Sequence, residues 1–436
     1  MTNINIENIL GNILYRGLDK LRVKFAIEQS IPIILECLFL ELYSHESKQF
    51  RKKMSSDKSY EVLIEDELLK CILDEEVNAL IKGDNKIFNE VMKSFDNEEF
   101  KTILKEYKES TIFSIAMEQL YKTSRFSYKT SRNINKLIAR IVKNKKFKSL
   151  YDPAIGTGTL AIEASEDHKD VHIYGQEIYQ GSINICKMLL ILDGRSNDMK
   201  NIYQGNTITN PMHVDNYNLN KFDCIVSDPP MALRDWGYSE AINDKYDRFK
   251  RGIPTKASGD YAFISHIVES LNEKGLGVVV VTSGVLFRSG SEGVIRQKLI
   301  EENLVECVIS LPNNMMHNTA IAVNLLILNK NKNTDGILFI DVAKQVTSSR
   351  TLTILSDEII EKIGIVYENY LEEEGFSKVV NIDDIKNNDF NLSVNRYIVE
   401  VEEDEDIDVE TVNDDIKILE KKLQYIQNEI KKYMKK

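Results

Sequence analysis

Residues Asp228-Pro229-Pro230-Met231 follow an apolar run, Phe222-Asp-Cys-Ile-Val-Ser227, that reads as a strand. Two adjacent prolines fix two φ angles and hold the preceding residue extended, so the loop is stiff. A stiff loop at a strand's carboxyl end can aim a carboxylate and a backbone carbonyl at one point. That pair of acceptors suits an amino group that has to be held and polarised. An aromatic amine is a weak nucleophile because its lone pair is delocalised into the ring. If Asp228 accepts one of its hydrogens and the Pro229 carbonyl the other, the nitrogen is drawn toward tetrahedral geometry. Its lone pair can then attack a sulfonium methyl in line. Positioning and electrostatics carry most of such a rate, and no metal is required. A base stacked inside a duplex cannot reach a pocket of this kind and has to be flipped out. The plain alternative is a stiff loop without chemistry.

A methyl donor needs its own site, and three further loops offer one. Asp152-Pro-Ala-Ile-Gly156-Thr157-Gly158-Thr-Leu160 follows a first strand and opens a helix. Its glycines allow a tight turn and close approach of backbone to a ligand. It is not the G-x-G-x-x-G of a dinucleotide site, and a simple strand-to-helix turn is the alternative. The next strand ends in Tyr174-Gly-Gln-Glu177, about 20 residues past the glycines, where a carboxylate is placed to hold two ribose hydroxyls. The third ends in Gln204-Gly-Asn206-Thr207, and the Asn206 amide can donate to and accept from an adenine edge; a turn asparagine is the alternative.

These loops need a frame. Candidate strands are Lys148–Asp152, His172–Gln176, Ile202–Gln204, Phe222–Ser227, Gly277–Thr282, Val305–Ser310 and Ala322–Leu328, with helical stretches Ser182–Leu192, Tyr261–Asn272 and Glu292–Glu301 between them. Alternation of this kind implies an α/β fold with a mainly parallel sheet covered on both faces, and ligands at the carboxyl ends of its strands. Residues 1–120 read as an all-helical domain: Ile64, Leu68, Leu69, Ile72, Leu73, Val77 and Leu80 recur at helical spacing among acidic residues. The catalytic domain is set at 121–345, and 346–408 is a mixed extension. Residues 409–436 carry a seam, Val412, Ile416, Leu419, Leu423, Ile426, Ile430 and Tyr433, at alternating steps of four and three. That coiled-coil-like helix cannot bury its own seam, so it docks on a partner helix or packs back on this chain.

The 436 residues suffice for more than one domain, and five scattered cysteines with no C-x-x-C pair argue against a disulfide framework or a zinc site. The start of the chain has no secretory signal pattern, and no apolar stretch is long enough for a bilayer, so a cytoplasmic protein off the membrane is expected. A net charge of −12 argues against a free-standing nucleic-acid binder. The distribution is uneven: residues 122–148 hold ten basic and no acidic residues, and 400–415 hold ten acidic and no basic ones. Either run reads equally as a solvated face or a contact surface.

Taken in order, D-P-A-I-G-T-G-T-L, Y-G-Q-E and S-D-P-P resemble the amino-group DNA methyltransferases, and most closely the modification subunits of type I restriction-modification systems. R-F-S-Y-K-T-S-R-N-I (125–134), S-G-D-Y-A-F-I-S-H (258–266), G-V-L-F-R-S-G-S-E-G-V-I-R (284–296), V-I-S-L-P-N-N-M (308–315) and D-F-N-L-S-V-N-R-Y-I (389–398) are also similar to family segments. The resemblance covers about residues 120–436. It implies a Rossmann-like, S-adenosylmethionine-dependent fold. Asp152, Gly156, Thr157, Gly158, Glu177 and Asn206 would contact the cofactor, with Tyr128, Lys129 and Thr130 near its methionine end. Asp228, Pro229, Pro230 and Met231 would form the site for an adenine 6-amino group. The implied partners are double-stranded DNA, a specificity subunit docked on the C-terminal helix, a nuclease or translocase subunit and a second copy of the chain. Three residues depart from the pattern: Met231 stands where an aromatic is usual, Asn206 where Asp is, and Ser131 where Pro is. A methyltransferase fold kept for assembly without transfer, and a protein glutamine methyltransferase, are the alternative readings.

Overall fold

The computed structural model describes residues 6–46, 67–70, 72–83, 85–121, 131–316, 321–343, 346, 353–398, 416–423 and 426–427. Among these, nine strands form one sheet: β1 Ser149–Asp152, β2 His172–Glu177, β3 Ile202–Gln204, β4 Phe222–Ser227, β5 Leu271–Thr282, β6 Val305–Ser310, β7 Val323–Asn329, β8 Gly336–Asp341 and β9 Ser377–Asn381. Their spatial order is β9-β8-β6-β7-β5-β4-β1-β2-β3. β7 and β9 run against their neighbours, and the other pairings are parallel. All seven strands expected from the sequence are present. The two not foreseen, β8 and β9, come from 331–399. Within the segment read as a mixed extension, Ser377–Asn381 completes the sheet edge.

Burial on both faces explains why the strands are nearly all apolar. In β5, Val278 and Val280 point into one core while Val279 and Val281 point into the other. The same alternation separates Leu150 from Tyr151 in β1 and Leu338 from Phe339 in β8.

The helices cover those faces and build the N-terminal region. α1 (Ile6–Leu21), α2 (Ile27–Glu46) and α3 (Glu109–Tyr121) belong to a helical bundle. α1 shows why: Leu10, Ile13, Leu14, Leu18 and Leu21 fall on one stripe, and all are buried. The periodic run through Val77 is interrupted, with helices Glu67–Lys70 and Glu75–Gly83 separated at Asp74. The backbone N–H of Asp74 donates to the buried Glu36 carboxylate at 3.0 Å. Next come α4 (Arg132–Val142), α5 (Thr159–Ala164) and α6 (Gln180–Leu192). α6 is mostly apolar because it serves two cores. Ile183, Cys186 and Leu190 face the sheet, while Ile185, Met188, Leu189, Ile191 and Leu192 join the helical bundle. The bundle is therefore packed onto the sheet through α6, next to the loop that carries Glu177, and Asn184 of α6 donates to Asp74 at 2.9 Å.

α7 (Asp260–Ser270), α8 (Ser291–Glu301) and α9 (Asp357–Asn369) follow. α9 answers part of the basic run. Lys136 pairs with Asp357 at 3.0 Å, and Arg140 pairs with Glu361 at 2.7 Å and with Glu368. The described basic residues on this face of α4 are thus matched by acidic residues of the same chain. Residues up to Ile398 cluster as one unit and Val399–Lys436 as another. In the second, residues 416–423 are helical, and the seam residues Ile416, Leu419 and Leu423 are exposed; Val412, Ile430 and Tyr433 lie outside the described residues. No helix of the described residues is long and apolar enough to cross a membrane.

Candidate active site

The chain runs outward from β1 to β2 and β3, then returns to lay β4 on the other side of β1. Loops that leave β1 and β4 at their carboxyl ends therefore diverge and leave a crevice, the position where open α/β sheets bind ligands. The glycine loop and the Asp-Pro-Pro loop are these two. Leu150 pairs with Cys224 and Tyr151 with Ile225, which brings Asp152 level with the end of β4. Ser227 Oγ donates to Asp152 Oδ1 at 2.8 Å, and Ala154 N donates to the same oxygen at 2.9 Å. Asp152 is 2% exposed. Burial pushes its carboxyl up to about 7 against the pull of those two bonds, and the charges of Asp228 and Glu177 add to the rise. Three carboxylates thus converge on the crevice.

Gly156 and Gly158 have φ of +54° and +80°, a region costly for residues with a side chain. A Cβ on Gly158 would also come within 2.6 Å of Cys186 Sγ, whereas one on Gly156 would meet only Ala154 O, at 3.9 Å. The turn requires both glycines, and the space over Gly156 is open. Gly156 N donates to Glu177 Oε2 at 3.0 Å, while Ile178 N and Tyr179 N donate to Oε1 at 2.8 and 2.9 Å. Three backbone amides therefore hold the Glu177 carboxylate at the tip of β2.

The β3 loop is stapled to the same corner. Thr207 Oγ1 donates to Pro153 O at 2.5 Å, and Gln176 Nε2 to Asn210 O at 2.8 Å. Asn206 Oδ1 accepts from Ile208 N at 2.8 Å and Thr209 N at 3.1 Å. The side-chain oxygen thus caps a turn, as the turn-asparagine alternative has it, while the amide nitrogen would serve the donating half of the expected adenine contact. Behind the loop lies Arg248, 3% exposed. It donates to Ile208 O at 2.8 Å and Thr207 O at 3.2 Å and pairs with Asp244.

In the Asp-Pro-Pro loop Asp228 is half-buried, Pro229 buried and Pro230 exposed. Met231 is half-buried and packs against the sheet core, so it does not stand free as a stacking aromatic would. Tyr128, Lys129 and Thr130 lie outside the described residues. Ser131 and Asn135, at the start of α4, are buried, and Ser131 Oγ and Asn135 Oδ1 have no hydrogen-bond partner among the described residues. Orphaned buried polar atoms are rare.

Sequence reading missed Ser227, Thr207, Gln176, Arg248, Asp260 and Arg288. All but Arg248 lay in segments already singled out, and there without a role.

An α/β sheet with a glycine loop after β1, an acidic tip on β2 and an Asp-Pro-Pro loop after β4 defines the class I methyltransferase fold. Residues 86–406 match the N-6 DNA Methylase family, and the chain belongs to that family. It is 34% identical over 324 residues to the type I restriction enzyme MjaVII methylase subunit of Methanocaldococcus jannaschii, covering 70% of this chain and 55% of the relative. To the MpnII methylase subunit of Mycoplasma pneumoniae it is 32% identical over 317 residues, covering 69% and 58%. The chain spans about half the length of the curated relatives it matches. In fold it is similar to the type I restriction-modification methyltransferase subunit from Streptococcus thermophilus, with a TM-score of 0.74 at 22% identity over 90% of this chain and 99% of that one. A chain of a type I R-M system solved in the context of complex assembly gives a TM-score of 0.62 at 17% identity, with 98% of each chain covered.

Proposed function

We propose that this chain is the methylating subunit of a type I restriction-modification assembly and transfers a methyl group to the 6-amino group of adenine in DNA. The observation that carries the reading is the adjacency of Asp228-Pro229 and the glycine loop across β1 and β4, joined by the Ser227–Asp152 bond. It brings an amine-holding pair beside a donor site.

S-adenosylmethionine, when bound, supplies an electrophilic methyl on a sulfonium. The residues present fit such a group: the Gly156 cradle is open, Glu177 presents a fixed carboxylate for a diol, and Ser131 Oγ and Asn135 Oδ1 are buried polar atoms without a partner among the described residues. Asp152, Gly156, Thr157, Gly158, Glu177 and Asn206 would hold it, together with Tyr128, Lys129 and Thr130. Asp228 and the Pro229 carbonyl would accept the two amino hydrogens of a flipped adenine and hold its lone pair toward the donor. The prolines keep that geometry without reorganisation as charge develops, which is where preorganised acceptors contribute most. Met231 would bound the base pocket from the core side.

A net charge of −12 disfavours phosphate contacts by this chain alone, and Lys136 and Arg140 of the basic run are already paired with α9. This supports target reading and most DNA contacts by a separate specificity subunit, with the seam of residues 412–433 as its dock. A nuclease or translocase subunit and a second copy of this chain complete the proposed assembly, and a cytoplasmic setting goes with it.

The test is methyl transfer from labelled S-adenosylmethionine to unmethylated DNA by the chain co-expressed with its specificity subunit, beside an Asp228→Ala control. Label in adenine that vanishes in the control is expected. Tight cofactor binding without any label would sink the transfer reading in favour of a fold kept for assembly.

A further inference from the structure

The chain has to reverse direction immediately after the Asp-Pro-Pro-Met loop, and it does so at Ala232 with a φ of +50°. A left-handed residue with a side chain costs about 1–2 kcal/mol and persists only where its surroundings over-determine it. Here they do. Ala232 N donates to Asp260 Oδ1 at 2.8 Å, and one residue on, Gly259 N donates to Leu233 O at 2.8 Å. Residues 232–233 are therefore pinned by two adjacent bonds to 259–260, nearly thirty positions later in the sequence.

Asp260 is itself held. Its other oxygen, Oδ2, accepts from Arg288 Nη2 at 2.6 Å, and Arg288 Nε donates to the buried Glu292 at 2.5 Å. The side chain of Asp260 is 7% exposed, so its charge is met by Arg288 and not by water. The block also packs closely, since a Cβ on Gly259 would stand 2.6 Å from the Cβ of the fully buried Trp236. Ser258-Gly-Asp260 and Arg288 belong to two of the segments whose types suggested no chemistry of their own.

We infer that Asp260, oriented by Arg288, is a positioning residue for the target-base loop: it locks the turn at Ala232 and so fixes where the Asp228 carboxylate and the Pro229 carbonyl point. This rests on the proposed transfer reaction for its kinetic consequence but not for its structural one. Asp260 touches no substrate. It differs from Glu177 and Asn206 in acting on the loop after β4 and on nothing in the donor corner.

Asp260→Ala and Asp260→Ala/Ala232→Gly are compared with the wild type, each with its specificity subunit. In Asp260→Ala, kcat is expected to fall about tenfold or more, with KM for S-adenosylmethionine within about twofold, because the loss of a charge-assisted bond loosens the base loop alone. The second substitution removes the left-handed penalty and is expected to return a substantial part of kcat, a rescue that a general loss of stability would not show. Hydrogen exchange reads the same clamp without activity. The peptide spanning 229–233 is expected to exchange at least tenfold faster in Asp260→Ala, while the peptide over 152–158 is unchanged. Equal loosening of both peptides, or of neither, overturns the inference, as does a kcat loss that Ala232→Gly leaves in place. A wild type without transfer would remove the methyltransferase reading, and the exchange experiment would still decide the clamp.

Discussion

The donor corner and the base loop meet at one crevice but are held by opposite means. In the donor corner the ligand-facing backbone is fixed by neighbours in the sheet: Gly156 N on Glu177, Ile155 N on Gln176 O, Thr207 on Pro153 O. The loops that leave adjacent strands supply these three bonds, glycine supplies the turn, and Arg248 braces the β3 loop from behind. The base loop is stiffened by its own prolines and then tied by Asp260 and Arg288 from elements that come later in the chain. The first arrangement tolerates little change of backbone anywhere. The second concentrates its chemistry in one carboxylate and its geometry in one remote clamp.

Substitutions should separate the two, and the largest effect belongs to the base loop. Asp228→Ala removes one of the two acceptors proposed for the amino group. Transfer is expected to fall by on the order of 10²–10³-fold, as for loss of one preorganised transition-state partner. Cofactor affinity, measured by calorimetry, should stay within about twofold, since donor-corner contacts are untouched. A matching loss of affinity would mean that the corners are not separable.

Next is Asp152, where the corners share a bond. Its folded value of about 7 lies above the ordinary 3.8, so between these values the folded chain holds more protons than the unfolded one. Stability from this group is then greatest at low pH, declines as pH rises from about 4 to about 7, and the penalty is complete above that. Asp152→Asn keeps an oxygen for Ala154 N and Ser227 Oγ and removes the penalty, worth at most about 4 kcal/mol for a shift of this size. Without cofactor, the variant should melt higher than the wild type at pH 8 and close to it at pH 4. A Tm difference that is flat with pH would show that the burial is relieved by water.

Gly158→Ala tests the backbone side of the comparison. Left-handed strain and the approach to Cys186 Sγ together should cost about 1–3 kcal/mol in chemical denaturation, and more in cofactor binding than in the catalytic step. A normal affinity for S-adenosylmethionine would contradict the close-packed account of this turn.

The same contrast sets what could be read from the sequence. The strands β1 to β7, the glycine turn and the acidic tip of β2 were legible because local composition decides them. β8 and β9 were not, since they occur among polar segments and earn their place only by pairing at an edge. Nor was the two-sided role of α6: a mostly apolar helix signals burial but not which two cores share it. Arg248, Asp260 and Arg288 act on loops twenty to sixty residues away, and nothing local marks a buried arginine as a clamp. The pairing of Lys136 and Arg140 in the basic run was hidden for the same reason, since the acids that match them lie on α9.

Asn206 gives the smallest and most discriminating effect. Its departure from the family pattern would support a degenerate site if the usual carboxylate did something the amide cannot. In the structure the side-chain oxygen caps a turn by accepting from Ile208 N and Thr209 N, and a carboxylate oxygen accepts equally well. The turn, the Thr207–Pro153 bond and the Arg248 contacts behind it would all survive Asn206→Asp. The expected change in cofactor affinity is therefore within about threefold, or under about 0.7 kcal/mol, since only the side-chain group left over differs. A gain of tenfold or more would mean that the amide is a defect in the donor corner, and that the native chain binds its donor weakly for want of one charge.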